Sequence, residues 1–106
     1  MDRETFFARA DKPQHADIDL ADGERVRARK LTQAEVETIR KRYATEDKAL
    51  EGYRFIVVRT VVDDDGARLF TDDDAAKLTT MDFETIDVIA TAVMRFSGLK
   101  VDAKNG

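Results

Sequence analysis

Residues 16–30 alternate so regularly that the segment reads as two strands. Ile18 and Leu20 stand between and beside Asp17 and Asp19, and Val26 and Ala28 are interleaved with Arg25, Arg27 and Arg29. A period of two marks a half-buried strand, and Asp22-Gly23 between the runs is a turn dipeptide, so a β-hairpin is expected. Parity then restricts its register. A two-residue loop sets Leu20 opposite Arg25 and mixes the faces, whereas an odd loop keeps apolar against apolar. With Asp22-Gly23-Glu24 as the loop, Leu20 faces Val26 and Ile18 faces Ala28, while Asp19 faces Arg27 and Asp17 faces Arg29. Each opposite-charge pair of this kind contributes about 0.2–1 kcal/mol. The basic cluster Arg25, Arg27, Arg29 and Lys30 is therefore expected to be a cross-strand ladder rather than a nucleic-acid surface.

A helix start follows directly. Leu31-Thr32-Gln33-Ala34-Glu35-Val36 holds a capping box, with Thr32 as cap and Glu35 three residues on, and Leu31 and Val36 are spaced for a hydrophobic staple. Val36, Ile39, Tyr43 and Leu50 recur at helical intervals, which predicts a helix to about residue 48. Residues 50–62 are ambiguous. Tyr53 to Val62 has high β propensity, yet Leu50, Tyr53, Val57 and Val61 make a helical stripe.

Val61 to Asp74 is rich in aspartate and invites a calcium-loop reading. That reading fails: with Gly66 at the sixth position, the first is Val61, which has no side-chain oxygen, and the twelfth is Asp72 in place of a bidentate Glu. Turn chemistry explains the same residues. Asp65-Gly66 is a turn dipeptide, and Thr71 to Asp74 reads as a capped helix start with acids facing the positive end of the helix dipole. A short helix is expected over Asp72–Leu78. The last helix begins near Asp82 and carries Phe83, Ile86, Ile89, Ala90, Val93 and Met94 on one face, with Gly98 and Leu99 placed for a Schellman ending.

Residues 1–15 are expected to be a leader arm, residues 16–99 a single domain, and residues 100–106 a flexible tail. Phe6-Phe7 in the arm is expected to pack on the chain's own core, with another subunit as the alternative. The fold class expected is mainly α (α+β), an N-terminal β-hairpin followed by a small bundle of about four helices.

Function classes are limited by what 106 residues can hold. The chain has no cysteine, so disulfides and thiolate metal sites are excluded. No apolar run approaches the roughly 20 residues of a membrane span, and no signal peptide opens the sequence. Residues 1–54 carry 12 basic and 12 acidic side chains and residues 55–106 carry 6 and 10, so the net −4 lies in the second half. An acidic chain is a poor ligand for phosphate backbones. His15, the single histidine, sits in a turn-like segment and reads as solvated rather than as a base. No nucleophile–base pair and no phosphate-binding glycine loop occurs, so no enzyme, no metal and no cofactor is expected.

The ordered motifs resemble those of tail assembly chaperones of long-tailed, siphophage-type bacteriophages and prophages. That family joins a β-hairpin to an "R-x-L-T" helix start, matched by Arg29-Lys30-Leu31-Thr32. A hydrophobic segment then runs into "V-D-x-D-G-x-x-L-F-x-D-x-D", matched from Val62 through Asp63, Asp65, Gly66, Leu69, Phe70, Asp72 and Asp74. A later leucine is matched by Leu78, and the closing "S/N-G-L" by Ser97-Gly98-Leu99. The resemblance covers residues 16–99 and implies a helix at 50–62. It further implies a non-enzymatic protein that keeps the tape measure protein soluble while tail tube subunits polymerise around it, in the host cytoplasm, and that is absent from the mature virion. Many members are also made as a longer frameshifted product, of which this chain would be the short form. Self-association along one extended partner fits such a role. The candidate partner face is Phe83, Ile86, Ile89, Val93 and Met94, although a stripe of this kind is also the ordinary inner face of a helix. The alternative function is a structural tail or head-completion subunit that stays in the virion.

Overall fold

The computed structural model describes residues 1–99; the expected flexible tail at 100–106 lies outside the described residues. The elements in order are α1 (Arg3–Ala8), β1 (His15–Asp19), β2 (Arg25–Arg29), α2 (Gln33–Arg42), α3 (Ala49–Thr60), β3 (Val61–Val62) and α4 (Phe83–Phe96). This is the expected α+β class, with the hairpin extended to a three-stranded antiparallel sheet of order β1-β2-β3.

The hairpin keeps the expected faces but shifts its pairing by two residues. Ile18 faces Val26, Asp17 faces Arg27 and Asp19 faces Arg25. The loop is Ala21-Asp22-Gly23: Gly23 N–H donates to the Leu20 carbonyl (3.0 Å) and Leu20 N–H to the Glu24 carbonyl (2.8 Å). A three-residue hairpin needs its left-handed residue last, and Gly23 takes that place with φ 91°. A glycine-centred loop cannot meet this requirement, so every pair moves while the odd parity holds. His15 consequently belongs to β1, opposite Arg29, rather than to a turn.

α2 ends at Arg42, short of the expected residue 48. Tyr43 leaves the helical region (φ −126°, ψ 18°), and its ring packs on Phe55 of α3 with centroids 5.5 Å apart. Gly52 makes room for it: a Cβ there would lie 2.9 Å from the Tyr43 Cβ.

The ambiguous 50–62 segment uses both of its propensities. It is helical to Thr60, and Val61–Val62 then pair with Ala28 and Arg27. Leu50, expected in the apolar stripe, lies outside the core at 51% exposure. After β3 the chain reverses with the same geometry as the first hairpin. Gly66 N–H donates to the Asp63 carbonyl (3.0 Å), Asp63 N–H to the Ala67 carbonyl (2.8 Å), and Gly66 has φ 86°. Over 72–78 the expected helix is replaced by two 3-10 turns, Asp72–Ala75 and Lys77–Thr80.

The core forms where α4 lies across α3 and the sheet. Ala28, Ile56, Val57, Val58, Val61, Ala90 and Val93 are essentially sealed from solvent. α4 is capped by Asp82, which accepts from Thr85 N–H, and it ends in a Schellman motif in which Leu99 N–H reaches the Met94 carbonyl (2.9 Å) and Gly98 N–H the Arg95 carbonyl (3.0 Å). The arm departs from expectation. Phe6 and Phe7 are 56% and 58% exposed and meet each other edge to face at 5.5 Å. The core closes without them.

A candidate partner-binding trough

The residues that shape the surface are held by one ionic cluster. Arg29 reaches from β2 to the start of α2, where Nη1 donates to Glu35 Oε1 (2.9 Å) and Nη2 to Oε2 (2.8 Å). Nη2 also donates to the Arg59 carbonyl (2.8 Å) at the end of α3. Arg29 is therefore not the partner of Asp17 that the ladder required; the ladder consists of Asp19–Arg25 and Asp17–Arg27. Glu35 is 5% exposed and closes the capping box by accepting from Thr32 N–H (2.9 Å). Burial opposes its ionisation, but the Arg29 hydrogen bonds and the Thr32 N–H outweigh it, so its pKa lies below the ordinary glutamate value.

A second arginine finishes α3. Arg68 donates through Nε (3.1 Å) and Nη2 (2.7 Å) to the Val58 carbonyl, and its Nη2 also donates to Asp72 (2.8 Å). Asp72 accepts from Arg59 Nε as well (3.0 Å). Hydrogen bonds from Arg68, then the charge and hydrogen bond of Arg59, hold the Asp72 pKa below its usual value. Three of the six aspartates that suggest calcium have local roles. Asp63 accepts from its own turn at Asp65 and Ala67, Asp72 neutralises two arginines, and Asp74 accepts from Thr71 N–H (2.9 Å). Among the described residues no group of three or more His, Cys, Asp or Glu side chains is gathered for a metal. None of the described helices is long and apolar enough to cross a membrane.

This frame leaves an open trough along α3. Its polar end is walled by Arg42, Tyr43, Glu51, Phe55, Arg59 and Asp72, and its apolar end by Leu50, Leu78, Met81, Phe83 and Ile86; Arg54 and Thr79 belong to both. The apolar end holds a pocket of about 160 Å³. Around it Leu50, Met81 (46%) and Phe83 (60%) are the exposed large hydrophobic residues of the domain outside the arm, apart from Leu69. A concave apolar patch with one arginine, Arg54, in its wall suits the apolar face of an amphipathic helix.

The expected partner face on α4 is largely not available. Ile86, Ile89 and Val93 are buried in the core, and Met94 packs against it. Only Phe83, in the first turn of α4, stays open, at 60% exposure. The motif residues sit at junctions. Leu31 N–H donates to Ser97 Oγ (2.8 Å), tying the start of α2 to the end of α4. Thr32, Asp63, Gly66 and Asp74 make the caps and turns described above, Asp72 pairs with Arg59 and Arg68, and Gly98 and Leu99 end α4. Phe70 packs on the core fringe, while Asp65 and Leu69 are exposed. Sequence reasoning missed Leu50, Arg54 and Met81 as surface-forming residues. The one signal was Met81, an isolated apolar residue directly before the Asp82 cap.

No family model matches the sequence, and no curated protein matches it. The architecture is known from a solved structure. The solved structure of the bacteriophage HK97 tail assembly chaperone matches it with a TM-score of 0.66 at 11% identity, over 87% of this chain and 96% of that one. This chain therefore has the fold of a tail assembly chaperone.

Proposed function

We propose that the protein is a non-enzymatic tail assembly chaperone of a long-tailed phage or prophage. It binds the tape measure protein, keeps that long chain soluble and helps recruit tail tube subunits around it. It works in the host cytoplasm and leaves before the virion is complete. The observation that carries the reading is the fold likeness over nearly the whole of both chains, joined to an exposed apolar trough. An amphipathic helix of the client lays its apolar face over Leu50, Met81 and Phe83. Its acidic flank faces Arg42 and Arg54, which make no ion pair among the described residues. Mass spectrometry of purified particles tests the reading: the chain is absent from finished virions if it is a chaperone, and a stoichiometric presence assigns it to the structural subunits instead.

A further inference from the structure

β1 lies at one edge of the sheet. The hairpin closes with Leu20 N–H on the Glu24 carbonyl (2.8 Å), so Leu20 turns its backbone toward β2, and Ile18 and Ala16 follow by the two-residue period. His15, Asp17 and Asp19 therefore direct their N–H and carbonyl groups outward, and beyond the ladder none of these bonds to another described residue. An open edge of this kind is a template for a further strand. A groove of about 590 Å³ runs beside it, walled by residues 16–19 of β1 and by Val88, Thr91 and Ala92 of α4, with Asp87 and Arg95 also lining it. Asp17 and Asp19 are neutralised across the hairpin by Arg27 and Arg25. Asp87 and Arg95 make no ion pair among the described residues. Ser97 holds Leu31, just past β2, so Arg95 lies toward the His15 end of β1 and Asp87 toward the Asp19 end.

We propose that β1 accepts a fourth, antiparallel strand, an extended segment of a partner chain that presents a base, an apolar residue and an acid to α4 at successive alternate positions. The two unpaired charges set this pattern. Asp87 and Arg95 are eight residues apart, about 12 Å along the helix, and positions i and i+4 of a strand share a face at about 13 Å. A segment running antiparallel to β1 meets Asp87 first with its base and Arg95 last with its acid. The residue midway lies over Val88 and Ala92, where a small or β-branched side chain fits. Main-chain bonds to His15, Asp17 and Asp19 supply affinity, and the charges supply direction and selectivity. A second copy of β1 does not match. Its inward residues, Ala16 and Ile18, offer no charge to Asp87 or Arg95, and antiparallel self-pairing about Asp17 sets that acid opposite itself. No residue lines both this groove and the trough along α3, so the strand site does not rest on the chaperone reading, and both sites can be filled at once.

Fluorescence anisotropy of a labelled, end-capped peptide of sequence TKTVTET, titrated with the full chain, tests it, together with amide hydrogen exchange read by NMR. The peptide is expected to bind and to slow exchange at the His15, Asp17 and Asp19 amides, which the bare edge leaves to solvent. The charge-reversed peptide TETVTKT should bind at least about tenfold more weakly, since two attractive pairs become two repulsive ones. The double variant Asp87→Lys/Arg95→Glu, checked for unchanged melting, should invert that preference, a result that a merely sticky surface does not give. No binding at millimolar peptide, equal binding of the two peptides, or a preference that the double variant leaves unchanged overturns the proposal. Protection of the edge amides that rises with protein concentration alone also overturns it, because the occupant is then a second copy.

Discussion

Arg29 and Glu35 face each other as a fork on a carboxylate, two parallel hydrogen bonds of 2.9 and 2.8 Å between the end of β2 and the first turn of α2. The pair does more than join two elements. Through Glu35 it completes the Thr32 capping box, and through the Arg59 carbonyl it satisfies one of the open acceptors at the end of α3. Three of the domain's elements meet at one carboxylate.

Replacing Glu35 by Gln leaves the Arg29 charge without its partner and weakens the box. The expected loss is about 3 kcal/mol, the low end for breaking a buried pair, because Arg29 keeps some contact with water. Urea unfolding of E35Q, R29A and the double variant measures it. The double variant should be less destabilised than the sum of the single ones.

The same pair sets an acid response. The folded pKa of Glu35 is below its ordinary value, so its contribution is fully present above the unfolded value of about 4.3 and is lost as pH falls through the folded value. The stability difference between wild type and E35Q should be constant from pH 8 to about pH 5 and shrink below about pH 4. Unfolding curves across that range check it; a difference that persists unchanged at the acid end contradicts it.

Gly52→Ala should destabilise despite the better helix propensity of alanine, worth about 1 kcal/mol. The added Cβ meets the Tyr43 Cβ at 2.9 Å, and overpacking at such a contact costs about 1–3 kcal/mol. The melting temperature of G52A should fall. A rise would mean that Tyr43 yields without cost.

Phe83→Glu and Met81→Glu should leave the melting temperature within a few degrees of wild type while abolishing client capture, since both residues are largely solvent-exposed. Ile89→Glu, by contrast, should fail through unfolding, because Ile89 is buried. Thermal melts run beside a pull-down with the tape measure protein separate the two behaviours.

Local chemistry was legible in the sequence and pairing across distance was not. The Thr32–Glu35 box and the Gly98–Leu99 helix ending follow from spacing alone, because their partners lie within a turn. The hairpin faces follow from parity, but the register depended on which loop position takes positive φ, and Gly23 decided it. Hairpin parity pairs Arg29 with Asp17 because neighbours within a hairpin are visible in a sequence, whereas a carboxylate brought over by the next helix, Glu35, is not. The surface was hardest to read. Leu50 fits an apolar stripe, and Ile86, Ile89 and Val93 fit a docking face, until α3 and α4 cover each other and leave Leu50 and Phe83 outside. Gly52 carries no signal at all without Tyr43 beside it.

The most direct test of the chaperone account is co-expression of the tape measure protein from the same genome with and without this chain, reading the soluble fraction. The account predicts that the tape measure protein is largely insoluble alone, soluble with the wild-type chain, and insoluble again with Phe83→Glu. Equal solubility in the presence and absence of the chain, or full rescue by Phe83→Glu, contradicts it.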